Sequence, residues 1–368
     1  MLKSGIMGKS PDNAASWQFY LSGESAQDAM LEAIKGATKS IEIEQYIFSN
    51  DEIGIEFFHA LTAKSREGVA IRILCDHVGS FDFFSSEWPG KLRDAGIKVR
   101  FFNIISPWRV ESFTGWYFRN HRKIMVIDSN IAFIGGMGIG KYMRKWRDTH
   151  ISLVGDIVEA IETNFDDIWN KSKDRSVFLF RKWIRRVKKF NLLTNVPHLF
   201  QRHIYHTLID MIRGAKESVC LTTPYFIPDG RLFRALRLAS RRGVEVKLII
   251  PEKSDVRFFN IAAYSYIEPA LRAGIRVFLY QNSILHAKTA VIDGKWATMG
   301  SLNLDTLSLL WNYEANVEST DKKFVNELAG HFADDLKNSK EVIYAEWKNR
   351  PFFDMMLEYL SYPLHRLL

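Results

Sequence analysis

Two similar α/β/α lobes, each with a mixed central sheet and related by a pseudo-two-fold axis, form the architecture this sequence predicts. Three internal matches in the same order carry that reading. The stretch Ala33 to Cys75 is answered by Met211 to Ile250; both give a helix end, a strand, a turn, an amphipathic helix and a β-rich run after Gly-Val. LRDAGIKVRFF (Leu92 to Phe102) is answered by LRAGIRVFLY (Leu271 to Tyr280), and HRKIMVID (His121 to Asp128) by HAKTAVID (His286 to Asp293). Strands alternating with helices make each repeat an α/β layer unit. The expected division is a first lobe over 17–170, a basic connector over 171–200, a second lobe over 201–346 and a helical tail over 347–368. The repeats differ at SPWRVESFTGWYF (Ser106 to Phe118), an aromatic-rich insertion just before the first His-x-Lys segment. It is expected to border a substrate entrance.

The chain has 368 residues, 47% hydrophobic and 25% charged, which suits a folded globular protein with a substantial core. Its formal charge of +8 favours anionic partners, without separating nucleic acid from an anionic membrane. The only cysteines, Cys75 and Cys220, fall in apolar runs that read as buried strands, so no disulfide framework is implied. No stretch reaches the roughly 20 apolar residues that a bilayer crossing needs. Lys3 and Lys9 have no apolar run behind them, so no signal peptide is expected.

Chemistry concentrates in the two His-x-Lys-x-x-x-x-Asp segments. On an extended strand His121, Lys123, Met125 and Ile127 would share a face, as would His286, Lys288, Ala290 and Ile292. An imidazole and an ammonium two residues apart can reach one phosphate group. Asp128 and Asp293 fall on the other parity and open turns, which gives them a structural part. Seven positions further on stand Gly135-Gly136 and Gly300-Ser301, where backbone can approach an anion and Ser301 and Asn303 can donate to phosphate oxygens. Asp148 and Glu314 follow the two histidines at nearly equal distance, and such carboxylates can hold an imidazole in one tautomer.

Paired HxKxxxxD segments followed by GG or GSxN resemble the signature of the phospholipase D superfamily, over about Trp17 to Glu346. YIFSNDEIG, WRDTH and TPYFIPD are similar to stretches of bacterial cardiolipin synthases. The resemblance implies metal-free, cofactor-free phosphatidyl transfer through a phosphohistidine, with His121 as nucleophile and His286 as acid/base; the residues themselves are too symmetric to choose. It further implies phosphatidylglycerol as donor and acceptor, with cardiolipin and glycerol as products. Lipid hydrolysis and DNA cleavage by the same machinery stay open, with nucleic acid not favoured. The family pattern places Asn where this chain has Gly138. A catalytically silent protein binding membranes or nucleic acid has that departure as its sole support.

Three further features are weighed. GGMGIG does not fit G-x-G-x-x-G. His203 and His206, three apart on a predicted helix, read as packing or surface residues in the absence of further ligands. FRKWIRRVKKF places Phe180, Trp183, Ile184, Val187 and Phe190 at helical spacing, with Arg185, Arg186, Lys188 and Lys189 among the basic residues between them. That pattern predicts a helix resting on an anionic membrane, hence a peripheral protein at the cytoplasmic face of the cell membrane. Phe352, Met356, Leu360, Leu364 and Leu368 form a second apolar stripe, suited equally to docking on the protein's own body.

Overall fold

The computed structural model describes residues 15–105, 117–172, 185–186, 189–198, 201–351, 355–356 and 358. The first lobe contains β1 (Ser16–Ser22), β2 (Ser40–Gln45), β3 (Ala70–Asp76), β4 (Lys98–Phe102), β5 (Ile124–Ile127), β6 (Ile131–Gly135) and β7 (Arg147–Val154). They form a seven-stranded sheet in the order β1-β7-β6-β5-β2-β3-β4, parallel across β2, β3 and β4 and antiparallel elsewhere. The second lobe contains β8 (Arg185–Arg186), β9 (Phe190–Asn195), β10 (Ser218–Thr222), β11 (Phe226–Ile227), β12 (Glu245–Pro251), β13 (Arg276–Tyr280), β14 (Thr289–Ile292), β15 (Trp296–Gly300), β16 (Leu304–Asp305), β17 (Glu314–Ser319) and β18 (Ser339–Glu341). Its nine-stranded sheet runs β18-β13-β12-β10-β14-β15-β17-β9-β8, while β11 and β16 pair separately. Removing the outer strands β18 and β8 leaves the order of the first sheet, strand for strand. The duplicated α/β architecture expected from the sequence is therefore present.

Local chemistry repeats along with topology. Asp51 caps the helix Glu52–Arg66 by accepting from the Ile53 and Gly54 amides, and Asp229 caps Gly230–Arg241 through Arg231 and Leu232. Just past these helices Gly68 and Gly243 adopt φ of 91° and 88°, which a side chain would resist. Asp128 and Asp293 sit at φ 54° in the turns after β5 and β14. The Asp128 carboxylate accepts from the Thr38, Lys39 and Ser40 amides at 2.9, 2.7 and 2.9 Å. Asp293 accepts from Lys216, Glu217 and Ser218 at 3.0, 2.8 and 2.9 Å. Each motif aspartate thus fastens the turn after its own strand to the entry of the neighbouring antiparallel strand.

The two sheets share a core. Ile124 and Val126 of β5, Ile134 of β6 and Ile151 of β7 meet Val291 of β14, Met299 of β15 and Val317 of β17. Trp17 of β1 packs edge-on against Phe190 of β9, with ring centroids 5.4 Å apart. Phe190 is 1% exposed, and its burial contributes on the order of 2–3 kcal/mol.

Phe190 also corrects the sequence reading of the connector. The described part of FRKWIRRVKKF is extended, not helical: Arg185 and Arg186 pair with Leu192 and Asn191, and Phe190 opens β9. Its apolar spacing served a buried strand as well as it would a helix. β9 is the counterpart of β1, so part of the 171–200 segment belongs to the second sheet. Phe180, Trp183 and Lys188 lie outside the described residues, as do the side chains of Arg185 and Arg186; Lys189 is exposed and 3.8 Å from Asp321. Of the predicted insertion only Tyr117 and Phe118 are described, and both rest on Trp311 of the other lobe. Of the C-terminal stripe only Met356 is described. No helix among the described residues is long and apolar enough to cross a membrane.

Replacing Asp128 with Ala strands three amides at once. The expected loss is about 1–3 kcal/mol, read as a lower midpoint in urea unfolding with an unchanged slope. A midpoint equal to that of the wild type would show that solvent replaces the carboxylate without loss.

Candidate active site

The two His-x-Lys pairs lie in extended lead-ins, one residue short of β5 and β14 rather than within them as expected. Each lead-in is held by the opposite lobe. The His121 amide donates to the Tyr313 carbonyl at 3.0 Å, and Tyr313 donates to Arg119 at 2.9 Å. The mirror arrangement joins His286 to the Arg147 carbonyl at 2.7 Å and Arg147 to Ile284 at 2.9 Å. The residue after each backbone partner is a carboxylate. Glu314 therefore meets His121 Nδ1 at 3.0 and 3.1 Å, and Asp148 meets His286 Nδ1 at 2.7 Å. The carboxylates expected to orient imidazoles do lie on them, but across the lobes: each lobe orients the other lobe's ring.

An ionised carboxylate accepts, so Nδ1 carries the proton and Nε2 is left for chemistry. Burial raises the Glu314 carboxyl, but His121, Lys123 and the Ser301 hydroxyl outweigh it and hold it below the usual range. Ser301 Oγ and Ser308 Oγ each donate to Glu314 at 2.5 Å. For Asp148 burial is likewise outweighed, by Lys288, His286 and the Thr149 amide 2.7 Å away.

The lysines are equally constrained. Lys123 Nζ donates to the carbonyl of His121 at 2.6 Å, and Lys288 Nζ to that of His286. Lys288 Nζ also lies 2.9 Å from His286 Nδ1, but Asp148 is closer and takes that proton, leaving the carbonyl as the anchor. An ammonium has three protons, so each lysine keeps donors for an anion. Burial pushes Lys123 down to about 7 and Lys288 to about 8. It also takes His121 to about 4, and it lowers His286 together with the nearby Lys288.

The glycine and serine positions serve differently from the sequence expectation. A Cβ on Gly136 would sit 2.2 Å from Asp148 Oδ1, and one on Gly135 would sit 2.6 Å from the His150 ring and the Thr149 carbonyl. These glycines give the strand bearing Asp148 room to close in. Ser301 is fully buried and commits its hydroxyl to Glu314 rather than to a phosphate. Asn303 is buried with its Oδ1 unpartnered within the protein. Its first-lobe counterpart, Gly138, is packed instead: a Cβ there would meet Met143 Cε at 3.0 Å and the Ile47 carbonyl at 3.1 Å. Gln27 Nε2 donates to the Gly138 and Gly140 carbonyls at 3.1 and 3.0 Å. His203 and His206 begin the helix His203–Gly214. Among the described residues no group of three or more His, Cys, Asp or Glu side chains is placed to hold a metal ion.

Sequence reasoning missed several contributors. Tyr46 packs edge-on against His121 at 4.7 Å and Trp146 lies against His286 at 5.2 Å, though both stood inside phrases already singled out. Ser308 gave no signal. A buried polar scaffold braces the first lead-in. Asp76 takes Arg119 in a forked pair and the Asn120 amide at 2.9 Å, and Asn120 Nδ2 donates to Glu44 at 2.8 Å. Arg122, fully buried between His121 and Lys123, donates to Asn164 at 2.7 Å; Ala287 takes its place in the second lobe.

Residues 30–169 and 208–336 match the family model described as cardiolipin synthase, phospholipase D-like domain. The chain belongs to this family. The cardiolipin synthase of Oceanobacillus iheyensis is 35% identical over 337 residues, covering 88% of this chain and 69% of that protein. Cardiolipin synthase 2 of Bacillus anthracis is 34% identical over 334 residues, covering 87% of this chain and 64% of that protein. The chain thus spans less than two-thirds of the Bacillus anthracis protein and slightly more of the other. The fold matches the crystal structure of a phosphatidylserine synthase from Haemophilus influenzae, with TM-score 0.73, 13% identity and coverage of 95% of this chain and 93% of that one. Both HxK segments and both crossed carboxylates fall inside the stretches matched to the phospholipase D-like family.

Asp148→Asn and Glu314→Gln keep shape but remove the charge that fixes each tautomer. Each is expected to lower kcat for phosphodiester turnover by about 10²–10⁴ with little change in KM. A change confined to KM would show that the carboxylates act in binding instead.

Acid stability follows from the buried rings. His121 and His150 are both taken from 6.5 to about 4, chiefly by burial, and neither ring nitrogen of His150 has a partner within the protein. Below pH 6.5 the unfolded chain binds these protons and the folded chain does not, until pH falls to about 4. The contribution of these two rings to stability is therefore full above 6.5 and drains as pH falls through that window. Glu42 and Asp305, raised to about 7 by burial, act in the opposite sense. The His150→Leu variant is expected to lose less Tm than the wild type between about pH 7 and pH 4.5. Parallel Tm curves for the two would refute the assignment.

Proposed function

We propose that this chain transfers a phosphatidyl group through a phosphohistidine, making cardiolipin and glycerol from two phosphatidylglycerol molecules. The observation that carries it is the pair of buried imidazoles, each fixed at Nδ1 by a carboxylate, with two buried ammonium groups beside them. His121 Nε2 attacks phosphorus, and the bond to the glycerol oxygen breaks as His286, which takes up a second proton at Nε2 when the phosphodiester binds, gives that proton to the oxygen. The second phosphatidylglycerol then loses a hydroxyl proton to His286; its oxygen attacks phosphorus and the phosphorus–nitrogen bond breaks. Lys123, Lys288 and Asn303 stabilise the phosphoryl oxygens. Gly135, Gly136 and Ser301 serve by supporting the carboxylates.

Burial and Lys123 keep His121 unprotonated, as a nucleophile must be. His286 is lowered as well, by burial and Lys288, while Asp148 and, to a smaller extent, Asp255 favour its protonated form. The family and its named relatives support the phospholipid substrate, and a site at the cytoplasmic face of the membrane suits the position of that lipid.

The test is to incubate the purified chain with phosphatidylglycerol vesicles and read the lipids by mass spectrometry. Cardiolipin with free glycerol is expected, reduced about 10³-fold or more in His121→Ala, and the trapped phosphoryl label should map to His121. Phosphatidic acid as the sole product would make the enzyme a hydrolase, and label on His286 would reverse the two roles.

A further inference from the structure

Among the described residues ten large apolar side chains stand exposed. Six of them, Val78, Phe81, Ile104, Tyr142, Val256 and Phe258, lie in the loops leaving the catalytic edge of the two sheets or, for Phe81 and Phe258, at the starts of the helices Phe81–Ser85 and Arg257–Tyr264 that follow them. Val78 and Phe81 follow β3, Ile104 follows β4, and Val256 and Phe258 follow β12; these are the ends of parallel strands beside which the lead-ins enter. Tyr142 stands in the short helical turn between β6 and β7. Phe81 and Tyr142 are the most exposed, at 57% and 53%.

Each loop is tied to the site by its base. Asp76, which holds the Asn120 amide beside His121, directly precedes the loop of Val78 and Phe81. The His77 ring supports Phe81 at 5.8 Å, and the Ile105 amide reaches His77 Nδ1 at 3.5 Å. Tyr142 rests on Trp146 at 5.4 Å, which lies against His286. Tyr225 donates to Asp255 at 2.7 Å, next to Val256. The same loops expose Lys145, Lys253 and Arg257. The acidic residues among them are Asp82, which accepts from the Asn50 amide at 3.0 Å, Asp255, which accepts from Tyr225, and Glu252.

We infer that this apolar rim, with cations set among its tips, is a docking surface for an anionic phospholipid bilayer, holding the catalytic mouth against the headgroup layer. The inference rests on the lipid substrate proposed above. His121 and His286 are only 9% and 7% exposed, so the phosphodiester must travel inward to them. A rim seated among the headgroups lets the headgroup rise into the cleft while the acyl chains stay in hydrocarbon. Apolar tips enter the interface and cations meet anionic lipid, the pairing that peripheral binding uses. Asp76 and Trp146 link the bases of this rim to the His121 lead-in and to His286, a connection that a docking face for an unrelated protein would not need.

The test uses the full chain and vesicles of phosphatidylglycerol with phosphatidylcholine, floated on a density gradient. Val78→Ser/Phe81→Ser and Val256→Ser/Phe258→Ser are each expected to weaken partitioning by about tenfold or more. Lys253→Glu/Arg257→Glu should weaken binding to the anionic vesicles only. Leu238→Ser, an exposed apolar change outside these loops, should float as the wild type does. Unchanged Tm and unchanged turnover of dispersed short-chain phosphatidylglycerol would show that the rim variants remain folded and competent. Rim variants that float like the wild type would overturn the inference, as would variants whose only defect is lost self-association, which would mark an interface between copies. A wild type that binds through the rim yet turns over no lipid keeps the surface and removes the proposed reaction. Lipid turnover on vesicles that ignores the rim does the reverse.

Discussion

The rest of the structure depends on one exchange: the carboxylate on each lobe's strand holds the imidazole of the other lobe. Two backbone bridges deliver it, because the residue that accepts each histidine amide directly precedes the carboxylate in the chain. Register along two strands therefore sets the position of both rings. A one-residue slip would turn Glu314 or Asp148 away from its partner, since alternate residues face opposite sides. The buried glycines and serines around the exchange exist to keep that register tight. Gly136 leaves room for Asp148, while Ser301 and Ser308 saturate the lone pairs of Glu314.

Burial then sets the chemistry. Fully enclosed imidazoles stay unprotonated and enclosed ammonium groups shed protons readily, unless an anion enters between them. An incoming phosphodiester supplies that negative charge. Protonation of the acid and binding of the substrate become one event in such a cleft. Tyr46 and Trp146, packed against the two rings, add to that enclosure.

Much of this was legible in the residues alone. The duplication, the α/β layering and the paired His-x-Lys segments each left a repeated mark, and repetition at matched spacing is hard to produce by chance. The crossing of the carboxylates left none, because a spacing of 27 or 28 residues along the chain says nothing about which ring lies nearby in space. Glycine and serine beyond the motif looked like anion contacts, yet close packing of backbone imposes the same residue types. The connector misled through Phe190: apolar residues three and four apart fit a helix, but a strand shielded by Trp17 buries Phe190 as effectively. Tyr46 and Trp146 were visible only as letters within longer phrases, with nothing to distinguish ring neighbours from ordinary core.

The crossed bridges also bear on how such a chain could arise. A lone lobe holds a histidine and a carboxylate that do not meet, so an ancestor of half the length would have needed a second copy to complete either pair. In that twin every substitution would strike both rings at once, and no difference between nucleophile and acid could accumulate. Fusion lifts the constraint. Arg122 opposite Ala287, and Gly138 opposite Asn303, are differences that only a single continuous polypeptide is free to keep.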